Sequence, residues 1–284
     1  MCVIIFARFV FKIQHHLFSR LYLHKKMATF IFDKIVFGPV SSRRLGVSLG
    51  INLLPTTCKV CNFNCIYCEC GWNTPNSNRE KLPTREEVRK ALNIQLKQMA
   101  SENKPPDVIT FAGNGEPTLH PQFEPIIDDT IELRNEHCPN ARIAVLSNAT
   151  RISQESVFRA LQKVDQNILK LDAATDSLVE ALNQPNHPYS VEKTVDNLKR
   201  FNGNFILQTL FVRGTYNGST VDNTTPNEVA KWLKIVEMLH PKEVMVYTIS
   251  RDTPAQGLKK ISKKELEQIA QQVRLLNIAV SVSE

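Results

Sequence analysis

Five of the chain's seven cysteines fall within thirteen residues, Cys58-Lys59-Val60-Cys61-Asn62-Phe63-Asn64-Cys65-Ile66-Tyr67-Cys68-Glu69-Cys70. That density serves either a disulfide knot or a metal. Disulfide frameworks belong to short secreted chains, whereas this one has 284 residues and no small-residue cleavage site behind its apolar N-terminal runs. The metal reading follows, and soft thiolates at short spacing suit zinc or iron–sulfur. A zinc ribbon sets a long loop between two Cys-x-x-Cys pairs so that they meet tetrahedrally. Here Cys58/Cys61 and Cys65/Cys68 are too close together for that, and Cys61-x-x-x-Cys65-x-x-Cys68 wraps one loop around one cluster. Three thiolates on a 4Fe–4S cube leave one iron open to a small molecule. A non-catalytic zinc- or cluster-binding module is the alternative at this level.

Other residues with chemical potential lie further along. Gly113 and Gly115 flank Asn114 in a turn that lets backbone approach a ligand closely, and Glu116 follows, held by Pro117. Lys170 and Asp172 share parity on one strand, so they point the same way, toward a ligand or into an interior ion pair. Arg213, Tyr247 and Arg251 fall near later strand ends as substrate-side groups or structural ion pairs. Arg43 and Arg44 offer a phosphate grip or a solvated face, and Cys138 has no partner in the sequence.

The elements that position these residues alternate. Val47–Leu54 reads as a first strand ended by Pro55, after short β-prone pieces from Thr29 to Phe37. Thr84 with Glu87 makes a capping box that opens a helix over 85–101. Strands are expected at 108–111, 142–146, 168–171, 205–212 (closed by Gly214), 243–249 and 279–282. Helices are expected at 123–136, from a Ser153 cap to Lys163, at 176–182, 191–201, 226–239 (with Pro226 in its first turn) and 262–275. Strand–helix alternation of this kind means βα units on a parallel sheet, six of them and a possible seventh strand. In such folds chemistry sits at the C-terminal strand ends, and the cysteine loop, the glycine-rich turn, Asn148 and Asp172 each come just after an expected strand.

Hydrophobic content of 42% and charged content of 22% are ordinary for a globular chain. Of the net charge of +7, five charges (Arg8, Lys12, Arg20, Lys25, Lys26) lie in an acid-free stretch over 1–26, so the body is close to neutral and needs no polyanion partner. Residues 1–26 read as an N-terminal extension, either over-extended translation ahead of Met27 or disordered. Residues 27–284 read as a single domain.

Cys61-x-x-x-Cys65-x-x-Cys68, with Tyr67 directly before the last cysteine, resembles the signature of the radical S-adenosylmethionine (radical SAM) superfamily. Gly113-Asn114-Gly115-Glu116-Pro117 resembles its Gly-Gly-Glu-Pro motif, with Asn114 in place of the second glycine. The stretches 38–46 and 48–52 resemble the lead-in of its wyosine-synthase-like subgroup, which includes uncharacterised Fe–S oxidoreductases. The resemblance runs from about Phe30 to the C-terminus. It implies a partial (βα)6 TIM-like barrel with a short N-terminal β lead-in, and a 4Fe–4S cluster on Cys61, Cys65 and Cys68. It implies S-adenosyl-L-methionine as second cofactor, with Tyr67 near the adenine and Gly113, Gly115 and Glu116 at the ammonium group. Asn148 and Asp172 would lie near the ribose and the methionine carboxylate.

The activity implied is reductive cleavage of S-adenosylmethionine to a 5′-deoxyadenosyl radical that takes hydrogen from an unspecified small molecule, protein or RNA. A flavodoxin- or ferredoxin-type electron donor and a cytoplasmic, membrane-free setting go with it. Wyosine-type tRNA modification and activation of a glycyl-radical enzyme are the narrower alternatives. The wyosine type uses a second cluster, for which this chain has only Cys2 and Cys58 upstream.

Overall fold

The computed structural model describes residues 30–42, 45–75 and 77–284. Arg43, Arg44, Cys2 and the 1–26 stretch fall outside them. The chain runs β1 (Val36–Ser42), β2 (Gly46–Ile51), α1 (Arg85–Ser101), β3 (Val108–Phe111), α2 (Phe123–His137), β4 (Arg142–Ser147), α3 (Glu155–Lys163), β5 (Gln166–Lys170), α4 (Asp176–Asn183) and α5 (Val191–Lys199). It continues through β6 (Ile206–Tyr216), β7 (Ser219–Asp222), α6 (Pro226–Leu239), β8 (Glu243–Thr248), β9 (Leu258–Lys260), α7 (Lys263–Arg274) and β10 (Ala279–Ser283).

β1 is an antiparallel lead-in on β2. From β2 the order β2-β3-β4-β5-β6-β8-β10 is parallel throughout, with β10 at the far edge, so the barrel is partial and open. That is the expected architecture of six βα units closed by a seventh parallel strand. Among the described residues no helix is long and apolar enough to cross a membrane.

Strand alternation sorts the side chains. One face of each strand carries residues such as Ile109, Phe111, Ile143, Val145, Leu169, Leu207 and Phe211 into the large core shared with the helices. The other face points into the barrel. Its first layer is an apolar plug of Leu45, Val108, Ala144, Ile168, Ile206 and Met245, with Leu146 packed against it. Two residues further along the same strands, the same face carries Lys170, Gln208 and Tyr247, which face the barrel's C-terminal mouth. The plug closes the bottom; the polar layer forms the floor of a site.

Several local expectations are corrected. β2 ends at Ile51 rather than Leu54, and 29–35 forms no strand among the described residues. Ser153 does not cap α3; Gln154 precedes it without a side-chain cap. β6 does not stop at Val212 but runs to Tyr216, pairing antiparallel with β7 and β9 beyond the barrel rim. Gly214 is a crossing point rather than a terminator: a Cβ there would lie 2.2 Å from the Gly257 carbonyl oxygen. The Thr84–Glu87 capping box forms with both of its bonds, and Pro226 opens α6.

Candidate functional site

The cysteine loop lies across the barrel mouth, and its backbone is held on two sides. The Val60 N–H donates to the Asn114 carbonyl at 2.8 Å, and the Val60 carbonyl accepts the Glu116 N–H at 3.2 Å, so the loop pairs with the turn after β3. On the other side the Asn64 N–H donates to the Asn183 carbonyl at 2.8 Å and the Ile66 N–H to the Leu182 carbonyl at 3.0 Å, at the end of α4. Ile66 and Phe63 are buried in the core and act as its anchors. Asn73 closes the loop on itself, its Nδ2 donating to the carbonyls of Cys61 (2.9 Å) and Phe63 (3.2 Å).

The glycine-rich turn owes its composition to this docking. Gly115 has φ +134°, and a Cβ there would sit 1.8 Å from the Val60 carbonyl oxygen. A Cβ on Gly113 would meet the Asn52 side chain at 2.4 Å. Asn114, where the resemblance expects glycine, is fully buried and binds the lead-in: its Oδ1 accepts the Phe32 N–H at 2.8 Å, and its Nδ2 donates to the carbonyls of Phe32 and Pro55, both at 2.8 Å.

Under the loop is a cavity of about 220 Å³ lined by Cys61, Cys65, Cys68, Tyr67, Gly113, Gly115, Glu116 and Asn148. Every expected site residue except Asp172 is therefore on one wall system. Lys59, Cys70, Lys170 and Gln208 line the same cavity; sequence reasoning had left Lys170 open to a ligand-side role and had given Lys59 and Gln208 none. Among the described residues no three His, Cys, Asp or Glu side chains converge as a single ion requires. Three soft thiols spread around a cavity match the donor set of an iron–sulfur cluster.

Glu116 is buried, and both of its carboxylate oxygens are already bonded. Oε1 accepts from the Thr118 N–H (3.1 Å) and the hydroxyls of Thr118 (2.5 Å) and Ser147 (2.8 Å), while Oε2 accepts from the Asn148 N–H (2.7 Å). Burial pushes its carboxyl above the ordinary range against those four bonds. Asn148 donates from Nδ2 to the Asn62 Oδ1 at 2.7 Å and lies 3.7 Å from the Cys61 sulfur.

Asp172 sits behind the cavity wall. It accepts from the Tyr67 hydroxyl, from Asn183 Nδ2 at 2.8 Å and from the Leu210 N–H at 2.9 Å, and it pairs with Lys170 at 3.2 Å. Asn183 Nδ2 also reaches the Tyr67 oxygen (2.6 Å) and the Cys65 sulfur (3.3 Å). Lys170 lies 3.3 Å from both the Tyr67 and Tyr247 hydroxyls. Of the two meanings open to the Lys170/Asp172 pair, the structure shows the interior ion pair, wired to the cysteine loop through Tyr67 and Asn183.

The thiols differ in their surroundings. Burial pushes Cys61 up to about 12 and raises Cys65 as well. Cys68 is held down to about 5, first by the hydrogen bond it accepts from Cys70, then by Lys59. Burial raises the Tyr67 hydroxyl, with Asp172 adding to it. Burial pulls both lysines down, yet the groups around them prevail: Asp172 first for Lys170, and the cysteine sulfurs, Cys68 first, for Lys59.

The remaining residues have structural partners. Arg213 pairs with Glu265 at 2.7 Å, Arg251 with Glu69 at 2.7 Å, and Tyr247 accepts from Gln208 at 2.5 Å. The Cys70 sulfur also lies 3.4 Å from the Gly113 carbonyl oxygen, and Cys138 is buried against α1.

Residues 56–224 match the family described as the Radical SAM superfamily. A UPF0026 protein of Helicobacter pylori is 30% identical over 238 residues, 82% of this chain and 71% of that protein. A protein of Brachyspira hyodysenteriae named GTPase Obg is 29% identical over 238 residues, again 82% of this chain, which spans only 32% of that relative. A solved radical SAM methyltransferase from Sphaerobacter thermophilus superposes with a TM-score of 0.61 at 15% identity, over 83% of this chain and 65% of that one, a likeness of fold. The matched span holds the cysteine loop and the glycine-rich turn, and the fold agrees with it: this chain belongs to the radical SAM superfamily and is an enzyme of that class, with a 4Fe–4S cluster and S-adenosyl-L-methionine as its cofactors.

Proposed function

We propose that Cys61, Cys65 and Cys68 ligate the cluster and that the chain cleaves S-adenosylmethionine reductively to draw hydrogen from a substrate held over the polar layer of the barrel. The observation that carries this reading is the set of three thiols around one cavity at the C-terminal strand ends, where the backbone of Gly113 and Gly115 and the side chains of Tyr67 and Asn148 also converge. With both cofactors bound, they supply a one-electron cleavage of the sulfonium and a 5′-deoxyadenosyl radical.

The chain's own work is positioning and exclusion of water. Val60, Asn64 and Ile66 fix the thiol-bearing loop through backbone bonds to two separate elements. Tyr67 presents its ring to the cavity, its hydroxyl fixed by Asp172 and Asn183. Gly113 and Gly115 offer backbone groups to the cofactor's ammonium end, Asn148 faces the ribose and carboxylate side, Asp172 acts on that side only through Tyr67 and Asn183, and Glu116 ties Thr118 to the end of β4 at Ser147 and Asn148. Lys170, Gln208 and Tyr247 form the substrate-side floor. Residues 27–284 act as one domain, and a flavodoxin- or ferredoxin-type protein delivers the electron.

The test uses the full chain, purified without oxygen and reconstituted with iron and sulfide. Low-temperature EPR of the reduced protein is expected to show a cluster signal that changes with S-adenosylmethionine, and 5′-deoxyadenosine is expected to accumulate. Both should be lost in Cys65→Ala. A cluster signal indifferent to the cofactor, with no 5′-deoxyadenosine, would sink the proposal.

A further inference from the structure

Lys59 is one of the largest fully buried side chains in the protein, 2% exposed. A lysine is almost never buried so completely unless an anion accompanies it, because desolvating an ammonium is expensive. Lys170, the other lysine at the cavity and only partly buried, has Asp172 at 3.2 Å. Lys59 has no carboxylate within 4.0 Å among the described residues; its Nζ donates to the Gly71 carbonyl at 2.9 Å. The acid that shares its cavity, Glu116, already accepts four protein hydrogen bonds. The Tyr67 hydroxyl on that wall is taken up by Asp172, Asn183 and Lys170, which leaves the sulfurs of Cys61, Cys65, Cys68 and Cys70 as its anion-forming groups.

The placement is built in. The neighbouring Val60 is clamped through both its N–H and its carbonyl, and Gly71, which receives the ammonium, is itself tied to Cys68 by its N–H at 2.9 Å.

We infer that the Lys59 ammonium is a fixed counter-charge for the cluster, a positioning residue that sets how readily the cluster accepts an electron. A cluster on three thiolates gains negative charge on reduction, and a cation held beside it in a dry, low-dielectric setting favours the more negative form. The inference rests on Cys61, Cys65 and Cys68 as the ligands. Wild-type chain that takes up no cluster defeats that reading before Lys59 is altered.

The experiment is a potentiometric EPR titration of the reconstituted full chain, comparing wild type with Lys59→Met, Lys59→Gln and Lys59→Arg. Gln keeps a donor near Gly71 without the charge, and Arg keeps the charge. The neutral variants are expected to shift the midpoint to more negative potential by at least 59 mV, a tenfold loss in the one-electron equilibrium constant, with Arg staying near wild type. The cluster-free chain supplies the second readout. There the ammonium has no cluster to serve, so Lys59→Met is expected to unfold at the same temperature as wild type or higher. Unchanged midpoints in the neutral variants would overturn the inference. So would cluster-free neutral variants that fail to fold or melt lower while Arg does not, because the ammonium would then belong to the scaffold.

Discussion

Lys170 ends β5 and Asp172 follows two residues on, so one stretch of chain delivers an ammonium and a carboxylate to the same spot. The Asp172 side chain is fully buried and that of Lys170 is 16% exposed. Neutralising one partner strands the other, which for a buried pair costs about 3 kcal/mol. Asp172→Asn is therefore expected to destabilise the chain by about that amount in denaturant unfolding, while Lys170→Met with Asp172→Asn recovers most of it. Additive losses in the double variant would show that the two charges are not energetically coupled. The Lys170 pKa is raised, so its stabilising contribution is fully present below the ordinary lysine value and is lost only as pH rises through the raised one. The pair holds across the whole neutral range.

Their shared direction was legible from strand parity alone. What they bond to was not, because Tyr67 comes from a loop 105 residues before Asp172 and Asn183 from the end of the helix that follows it, 11 residues on. Lys59 was similarly silent: inside a cysteine-rich loop nothing in residue type separates a buried lysine from a solvated one, and only the docking of Val60 on the Gly115 turn buries it.

Between elements, α1 and α2 pack side by side, joined by a charge cluster on their exposed seam. The Arg85 guanidinium donates twice to Asp129, at 2.6 and 2.8 Å, and Arg89 bridges Asp129 (2.9 Å) and Glu132 (2.7 Å). The Asp129 side chain is only 7% exposed, and its carboxyl is held below the usual range, chiefly by the hydrogen bonds from Arg85. A depressed acid contributes stability that is present above its unfolded pKa of about 3.9 and is lost as pH falls through the folded value. Asp129→Asn is expected to lower Tm by roughly 2 °C at neutral pH, a modest figure because the arginines are partly solvated. The gap to wild type should close below about pH 4. A gap that persists undiminished in acid would place the effect in packing rather than charge.

At this scale the helices and parallel strands were largely readable. Thr84 and Glu87 announce α1, Pro226 announces α6, and the long apolar strands mark the sheet. The short strands β7 and β9 were not readable. They carry no alternating pattern of their own and exist because β6 overshoots the rim and offers them an edge, with Gly214 and Gly257 letting the backbones meet.

For the molecule as a whole, the open sheet places all seven parallel C-terminal ends on one rim, and the cysteine loop spans them from the β3 turn to α4. Among the described residues the lead-in is anchored from Phe30 onward: the Phe30 N–H donates to the Glu69 carbonyl at 3.0 Å, Phe32 is tied to Asn114, and the Phe32 ring stacks on Phe37 at 3.6 Å. Among the described residues the core draws on the chain from Ile35 onward and the cavity walls from Lys59 onward. Charge divides at nearly the same point, since residues 1–26 hold five of the seven net positive charges. If 27–284 is the folding and catalytic unit, removing 1–26 leaves iron content, the reduced-cluster EPR spectrum and Tm as they are in the full chain. The same truncation is expected to release the protein from a cation exchanger at markedly lower salt, because most of its net charge has gone. Loss of iron or a lower Tm in the 27–284 chain would show that the N-terminal residues contribute to the fold, and the single-domain boundary would move to the start of the sequence.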